Sequence, residues 1–103
     1  MATSEPLPRI YMDFNGYSLL TAGTQADLAR QGLVPYDGMR CVFYQDDADD
    51  EGPGFLHTVG TVRRDAETGY FYLDTTTVEF RFTHGTVATA VLDAVYGSAQ
   101  RPL

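Results

Sequence analysis

Arg9-Ile10-Tyr11-Met12-Asp13-Phe14-Asn15-Gly16-Tyr17-Ser18-Leu19-Leu20-Thr21 reads as two alternating runs separated by Asn-Gly. Ile10, Met12 and Phe14 fall on one side of the first run, Tyr11 and Asp13 on the other. Asn and Gly both tolerate positive φ, so Asn-Gly between alternating runs is a strong hairpin signal. A two-residue turn would set Phe14 opposite Tyr17, Met12 opposite Leu19 and Ile10 opposite Thr21, keeping one face apolar. The stretch therefore predicts an antiparallel hairpin and, with it, a β-rich fold.

The rest of the chain extends that reading. Seven Tyr, six Phe and ten Gly in 103 residues favour strands joined by tight turns. Gly23 to Leu33 predicts a short helix: Thr24 can cap it and Asp27 sits where a carboxylate meets free amides. Gly32 fits the left-handed C′ position, with Leu28 and Leu33 as the hydrophobic pair of a Schellman ending. Pro35-Tyr36-Asp37-Gly38 is a turn. Strands are then expected at Met39 to Gln45, Phe55 to Arg63 (with Gly60 as a bulge or bend), Tyr70 to Thr75 and Thr77 to Phe82. In Thr86 to Tyr96 the polar Thr86, Thr89 and Asp93 share one helical face, and Val87, Ala90, Val91, Ala94 and Val95 form the opposite stripe. A helix ended by Gly97 is preferred there over a strand, whose apolar side Asp93 would interrupt.

The length suits one domain with a single core, and 44% apolar with 20% charged residues describes an ordinary globular chain. The expected fold is mainly β with minor α: a small antiparallel, SH3-like, partly open barrel or bent sheet, with one short helix near residues 25–31 and a C-terminal helix. The strand count, bulged strand and short helix are similar to SH3-like small barrels at the level of fold. The Ala-Leu-Tyr-Asp-Tyr motif and paired Trp of SH3 domains are absent. Residues 1–8 read as a loose tail, 9–97 as the domain and 98–103 as a second tail. The predicted core is Ile10, Met12, Phe14, Leu19, Leu28, Leu33, Cys41, Phe43, Val59, Val62, Phe71, Leu73, Phe80, Val91 and Val95.

Charge is distributed unevenly. Asp46, Asp47, Asp49, Asp50 and Glu51 contribute −5 of the formal −7, so the remaining chain carries −2. This negative pole, expected on a solvated hairpin loop, attracts cations and basic surfaces and repels phosphate. All seven basic residues are Arg, and only Arg63 and Arg64 are adjacent, which argues against a nucleic-acid partner. No apolar run approaches the ~20 residues that span a bilayer, so no membrane role is expected. The N-terminal residues carry no basic start or apolar stretch of a signal peptide, and a cytoplasmic location is expected. Cys41 is the single cysteine, so no internal disulfide can form.

Several chemistries can be weighed against these residues. Asp47-x-Asp49-x-Glu51-Gly52 echoes the start of an EF-hand loop, but its twelfth position is Thr58 rather than the required Glu. No metal site or cofactor is expected on that ground. Cys41 lies between Met39 and Phe43 in a strand pattern, a packing position. No nucleophile elbow, phosphate-binding glycine loop or dinucleotide fingerprint is present. The predicted function is a non-enzymatic protein-interaction module. Asp46 to Glu51 and surface Tyr44, Tyr70 and Tyr72 would contact a basic protein or peptide, as flat rings and carboxylates do for cation-bearing peptides. A blocker of a basic toxin would be one instance. The competing reading is a small metal-dependent or hydrolytic protein using His57, His84 and Asp74, although no His-x-His or His-x-x-x-His spacing supports it. The apolar circumference of the C-terminal helix adds a possible homodimer interface.

Overall fold

The computed structural model describes residues 7–97 of the 103. Five strands and two helices follow in the order β1 (Arg9–Tyr11), α1 (Ala22–Gln31), β2 (Arg40–Asp49), β3 (Gly52–Arg64), β4 (Phe71–Asp74), β5 (Arg81–His84) and α2 (Ala88–Tyr96). The fold is mainly β with two short helices, as expected. Its single sheet is mixed and does not close into a barrel. Of the two tails expected, residues 1–6 and 98–103 lie outside the described residues; Pro8 accepts the Val42 N–H at 2.8 Å.

β2 and β3 form the spine, paired antiparallel from Arg40↔Thr61 to Asp49↔Gly52. β4 takes the C-terminal half of the far edge of β3 (Thr61↔Asp74 to Arg64↔Phe71), and β5 takes its N-terminal half (Gly54↔His84 to His57↔Arg81). Gly54 permits the second contact. A Cβ there would lie 2.5 Å from Phe82 Cζ and 2.6 Å from the Thr83 carbonyl oxygen. Gly60 stays in register with Cys41, so the bulge expected there is absent. A Cβ at Gly60 would stand 2.3 Å from Leu73 Cδ1, so close side-chain packing explains the glycine instead.

The expected N-terminal hairpin does not form. β1 pairs with β2 in parallel (Ile10↔Phe43), so β1, α1 and β2 make a crossover unit. Parallel neighbours need such a connection because a tight turn cannot reverse the chain twice. Asn15-Gly16 still turns: the Asp13 carboxylate accepts the Asn15 N–H at 2.9 Å, and Tyr17 adopts φ 59°. Beyond it the chain does not fold back on β1. Ser18 bridges Tyr72, with Leu19 N–H donating to the Phe71 carbonyl and Leu73 N–H to that of Tyr17. The segment from Met12 to Leu19 thus runs from one edge of the sheet to the other, carrying Met12, Phe14 and Leu19 into the main core.

α1 ends as anticipated. Gly32 has φ 68°, Gly32 N–H reaches the Ala29 carbonyl and Leu33 N–H that of Leu28. Its start lies earlier than expected, with Thr21 rather than Thr24 at the N-cap. Thr24 is buried and donates its hydroxyl to the Tyr11 carbonyl at 2.8 Å; Asp27 accepts the Tyr11 N–H at 2.8 Å. Those two residues fasten α1 to the outer edge of β1.

Alternation along the spine separates two faces. Ile10, Cys41, Phe43, Val62 and Leu73 join the main core with Met12, Phe14, Leu19, Leu28 and Met39. The opposite face carries Val42, Tyr44, Phe55 and His57, and α2 lies over it with Val91 and Leu92 buried. Met39, Val42, Phe55 and Leu92 were not in the predicted core yet are buried, whereas Leu33, Val59, Phe71, Phe80 and Val95 are half-buried.

Candidate functional site

The acidic segment is mostly strand, not loop. Asp46, Asp47 and Asp49 belong to β2, and Asp50-Glu51 is a two-residue connection into β3, where Gly52 takes φ 139°. The antiparallel ladder carries the acids outward: Tyr44↔His57 leads to Asp46↔Phe55 and then Asp49↔Gly52. All five acids are exposed. Successive residues point to opposite sides, so Asp47 and Asp49 share one side of the ribbon and Asp46 takes the other.

Among the described residues the outer edge of β2 has no strand partner along this segment. β1 pairs only as far as Tyr44, Met12 N–H donates to the Tyr44 carbonyl, and the Gln45 side chain accepts the Phe14 N–H at 2.7 Å. From Asp46 to Asp49, β3 is the only strand neighbour of β2 among the described residues. An unpaired edge is a template for strand addition, and closely spaced like charges on it discourage a second copy from docking.

His84 completes the pole. β5 places it across β3 so that its Nε2 lies 2.8 Å from Asp49 Oδ1. This imidazole contact, with the Glu51 N–H also donated to Asp49, holds the Asp49 carboxyl below its ordinary range. A separation of 35 residues hides the pairing from local pattern reading.

The three tyrosines do not converge. Tyr44 is half-buried two residues before Asp46, edge-on to Tyr11 (centroids 5.8 Å apart) and near Phe55 (6.4 Å). Burial, then the nearby Asp27, raises its phenol pKa. Tyr70 and Tyr72 are exposed by 56% and 40% at the other end of the sheet. Tyr72 pairs with Arg63, nine residues along β3 from Gly54, a run of about 30 Å at the usual strand rise. Only Tyr44 adjoins the acidic pole.

His57, His84 and Asp74 also remain apart. His57 is buried beneath α2, with Nδ1 2.7 Å from the Tyr96 hydroxyl and Nε2 2.9 Å from Thr83 Oγ1. His84 is exposed and, by strand alternation, on the other face. Asp74 sits on β4, where Thr76 and Arg63 hold its carboxyl low, the Thr76 hydroxyl contributing most. Among the described residues no group of three or more His, Cys, Asp or Glu could hold a metal ion. No helix of the described residues is long and apolar enough to cross a membrane.

The surface beside α2 carries a cleft and an apolar stripe. A cleft of about 340 Å³ between α1 and α2 is lined by Arg9, Arg30, Tyr44 and the first two turns of α2. Its guanidinium groups are already paired, Arg9 with Asp93 at 2.5 Å and Arg30 with Asp27. Along α2, Val87, Ala90 and Ala94 form an exposed stripe beside a shallow groove running to Thr83 and His84. No family model, curated protein or solved structure matches the chain.

Proposed function

We propose that this protein is a non-enzymatic interaction module that engages a basic protein or peptide through the β2–β3 hairpin, with Tyr44 at its base. The observation that carries this reading is the exposure of all five carboxylates, three on a β2 segment whose outer edge has no strand partner among the described residues and two on the turn that follows it. Clustered exposed charge steers an oppositely charged partner and speeds encounter, and it is screened over about 8 Å at physiological salt. A paired strand presents its carboxylates in fixed alternation, so less order has to be imposed on binding than for a free loop. Tyr70 and Tyr72 lie too far away to belong to the same contact.

The test is capture from a native lysate by immobilised wild-type protein and by a variant carrying D46N, D47N, D49N, D50N and E51Q. These side chains are exposed, so the variant retains the fold, which circular dichroism verifies. The expected result is a specific basic species bound by wild type, released at about 0.5 M salt and absent from the variant. Capture that ignores salt, or that survives neutralisation, refutes the assignment to the hairpin.

A further inference from the structure

The contact between His57 and α2 has a chemistry that the hairpin does not use. His57 is 0% exposed, and both ring nitrogens meet neutral hydroxyls, Tyr96 from α2 and Thr83 from β5. A neutral imidazole offers one N–H and one lone pair, and two hydroxyls can satisfy both by rotating. A protonated imidazole offers two N–H groups and no acceptor. Both hydroxyls must then accept, and the Tyr96 O–H loses any place on the ring to donate.

Among the described residues no carboxylate is hydrogen-bonded to the ring to balance that charge. Across the ladder β2 presents Tyr44 and β5 presents Arg81, the register partner of His57. From β1, Arg9 reaches α2, where its guanidinium is held by Asp93 and the Gly97 carbonyl. Glu79 is exposed in a shallow groove with Arg81 and Tyr96, while its backbone carbonyl accepts the Thr58 hydroxyl. Burial first, and then the Arg81 charge, lower the imidazole pKa. The folded state therefore holds His57 neutral, and acid favours states in which the ring reaches water.

The element exposed to this effect is α2. Its buried apolar side chains are Val91 and Leu92, its N-cap Val87 makes no side-chain cap, and its polar tethers among the described residues are Tyr96 to His57 and Arg9 to Asp93 and the Gly97 carbonyl. The sheet beneath it is held by ten register pairs between β2 and β3 and by a separate core on the other face. We propose that α2 is an acid-released element: a proton from solvent enters the His57 lone pair, the charged ring leaves its buried place between Tyr96 and Thr83 for water, and α2 undocks while the β2–β3 sheet persists. Release uncovers Val42 and Phe55, a face otherwise closed to partners.

Hydrogen exchange on the full chain, corrected for intrinsic rates, measures this directly. Stability from a group with a lowered folded pKa is complete above the unfolded value, about 6.5 for imidazole, and declines as pH falls below it. Protection of the α2 amides should therefore fall roughly tenfold per pH unit below about 6.5, with β2–β3 amides unchanged. His57→Gln keeps one donor and one acceptor without titrating, and its α2 protection should not depend on pH across that range. Should H57Q fail to fold, the imidazole C–H resonances of wild type supply the second readout: His57 and α2 signals must shift with one midpoint. Unchanged α2 protection in wild type, equal acid loss in H57Q, simultaneous loss in the sheet, or titration of His57 with α2 still docked would each overturn the proposal.

Discussion

Replacing Asp27 by Ala isolates the contact that fastens the β1–α1–β2 crossover. Asp27 is 8% exposed; one carboxylate oxygen accepts the Tyr11 N–H at 2.8 Å and the other meets Arg30. Truncation leaves the Tyr11 N–H on the outer side of β1 without its acceptor, at a cost of about 1–3 kcal/mol. The lost Arg30 pair adds at most about 0.5 kcal/mol, because that guanidinium is largely in water. Alanine returns about 0.5 kcal/mol of helix propensity. The net expectation is destabilisation of about 1–3 kcal/mol, near 2, or about 10 °C in Tm for a domain of this size. Asp27→Asn retains an acceptor for Tyr11 and should cost less than about 1 kcal/mol. Urea and thermal denaturation of wild type and both variants measure the difference. A D27A variant within about 0.5 kcal/mol of wild type would refute the crossover contact, since a mid-helix carboxylate paired only with the exposed Arg30 contributes little more than that. Equal losses in D27A and D27N would show that charge, rather than the acceptor, is what matters.

Two further perturbations probe the spine and its core. Gly54→Ala should destabilise by about 2–3 kcal/mol, because the Phe82 ring can move but the Thr83 carbonyl belongs to the β5 ladder; Gly16→Ala, with nothing within 4 Å, should be neutral in the same urea titration. Cys41 is 1% exposed and burial pushes its thiol up to about 12, so the folded protein should not react with a thiol-exchange reagent near pH 8 and should react fully once denatured. Rapid stoichiometric labelling of the folded chain would contradict that burial.

Apolar alternation in residues 9–21 was informative about face but silent about neighbour. Ile10, Met12, Phe14 and Leu19 are all buried, as the period of two requires. The same pattern serves a hairpin and a segment that pairs with two different strands, and only long-range contacts choose between them. Those contacts are the parallel register of Ile10 with Phe43 and the bridge from Ser18 to Tyr72, separated by 33 and 54 positions. Helix ends divide in the same way. The Gly32 ending is local chemistry, visible as Leu28-x-x-x-Gly32-Leu33. The start was misplaced because Thr24, an ordinary capping residue, spends its hydroxyl on the Tyr11 carbonyl, a contact that exists only once β1 is in place.

For the acidic pole, composition revealed the exposure and hid the conformation. Asp is depleted in strands, and a cluster of it beside Gly-Pro-Gly reads as loop. The ladder nevertheless continues through Asp46 to Asp49, because pairs already formed at Val42↔Val59 and Tyr44↔His57 fix the register, and each further pair costs only its own ordering. Once extended, the segment lies outside the reach of β1, so its edge is open where its charge is greatest. That coincidence gives the carboxylates two consequences at once. Two identical copies aligned edge to edge would bring like charges together, so self-pairing is penalised. A cationic chain meeting the same edge would find both unpaired backbone groups and opposite charge, so under the proposed function the charge that penalises edge-to-edge self-pairing would also favour a basic partner.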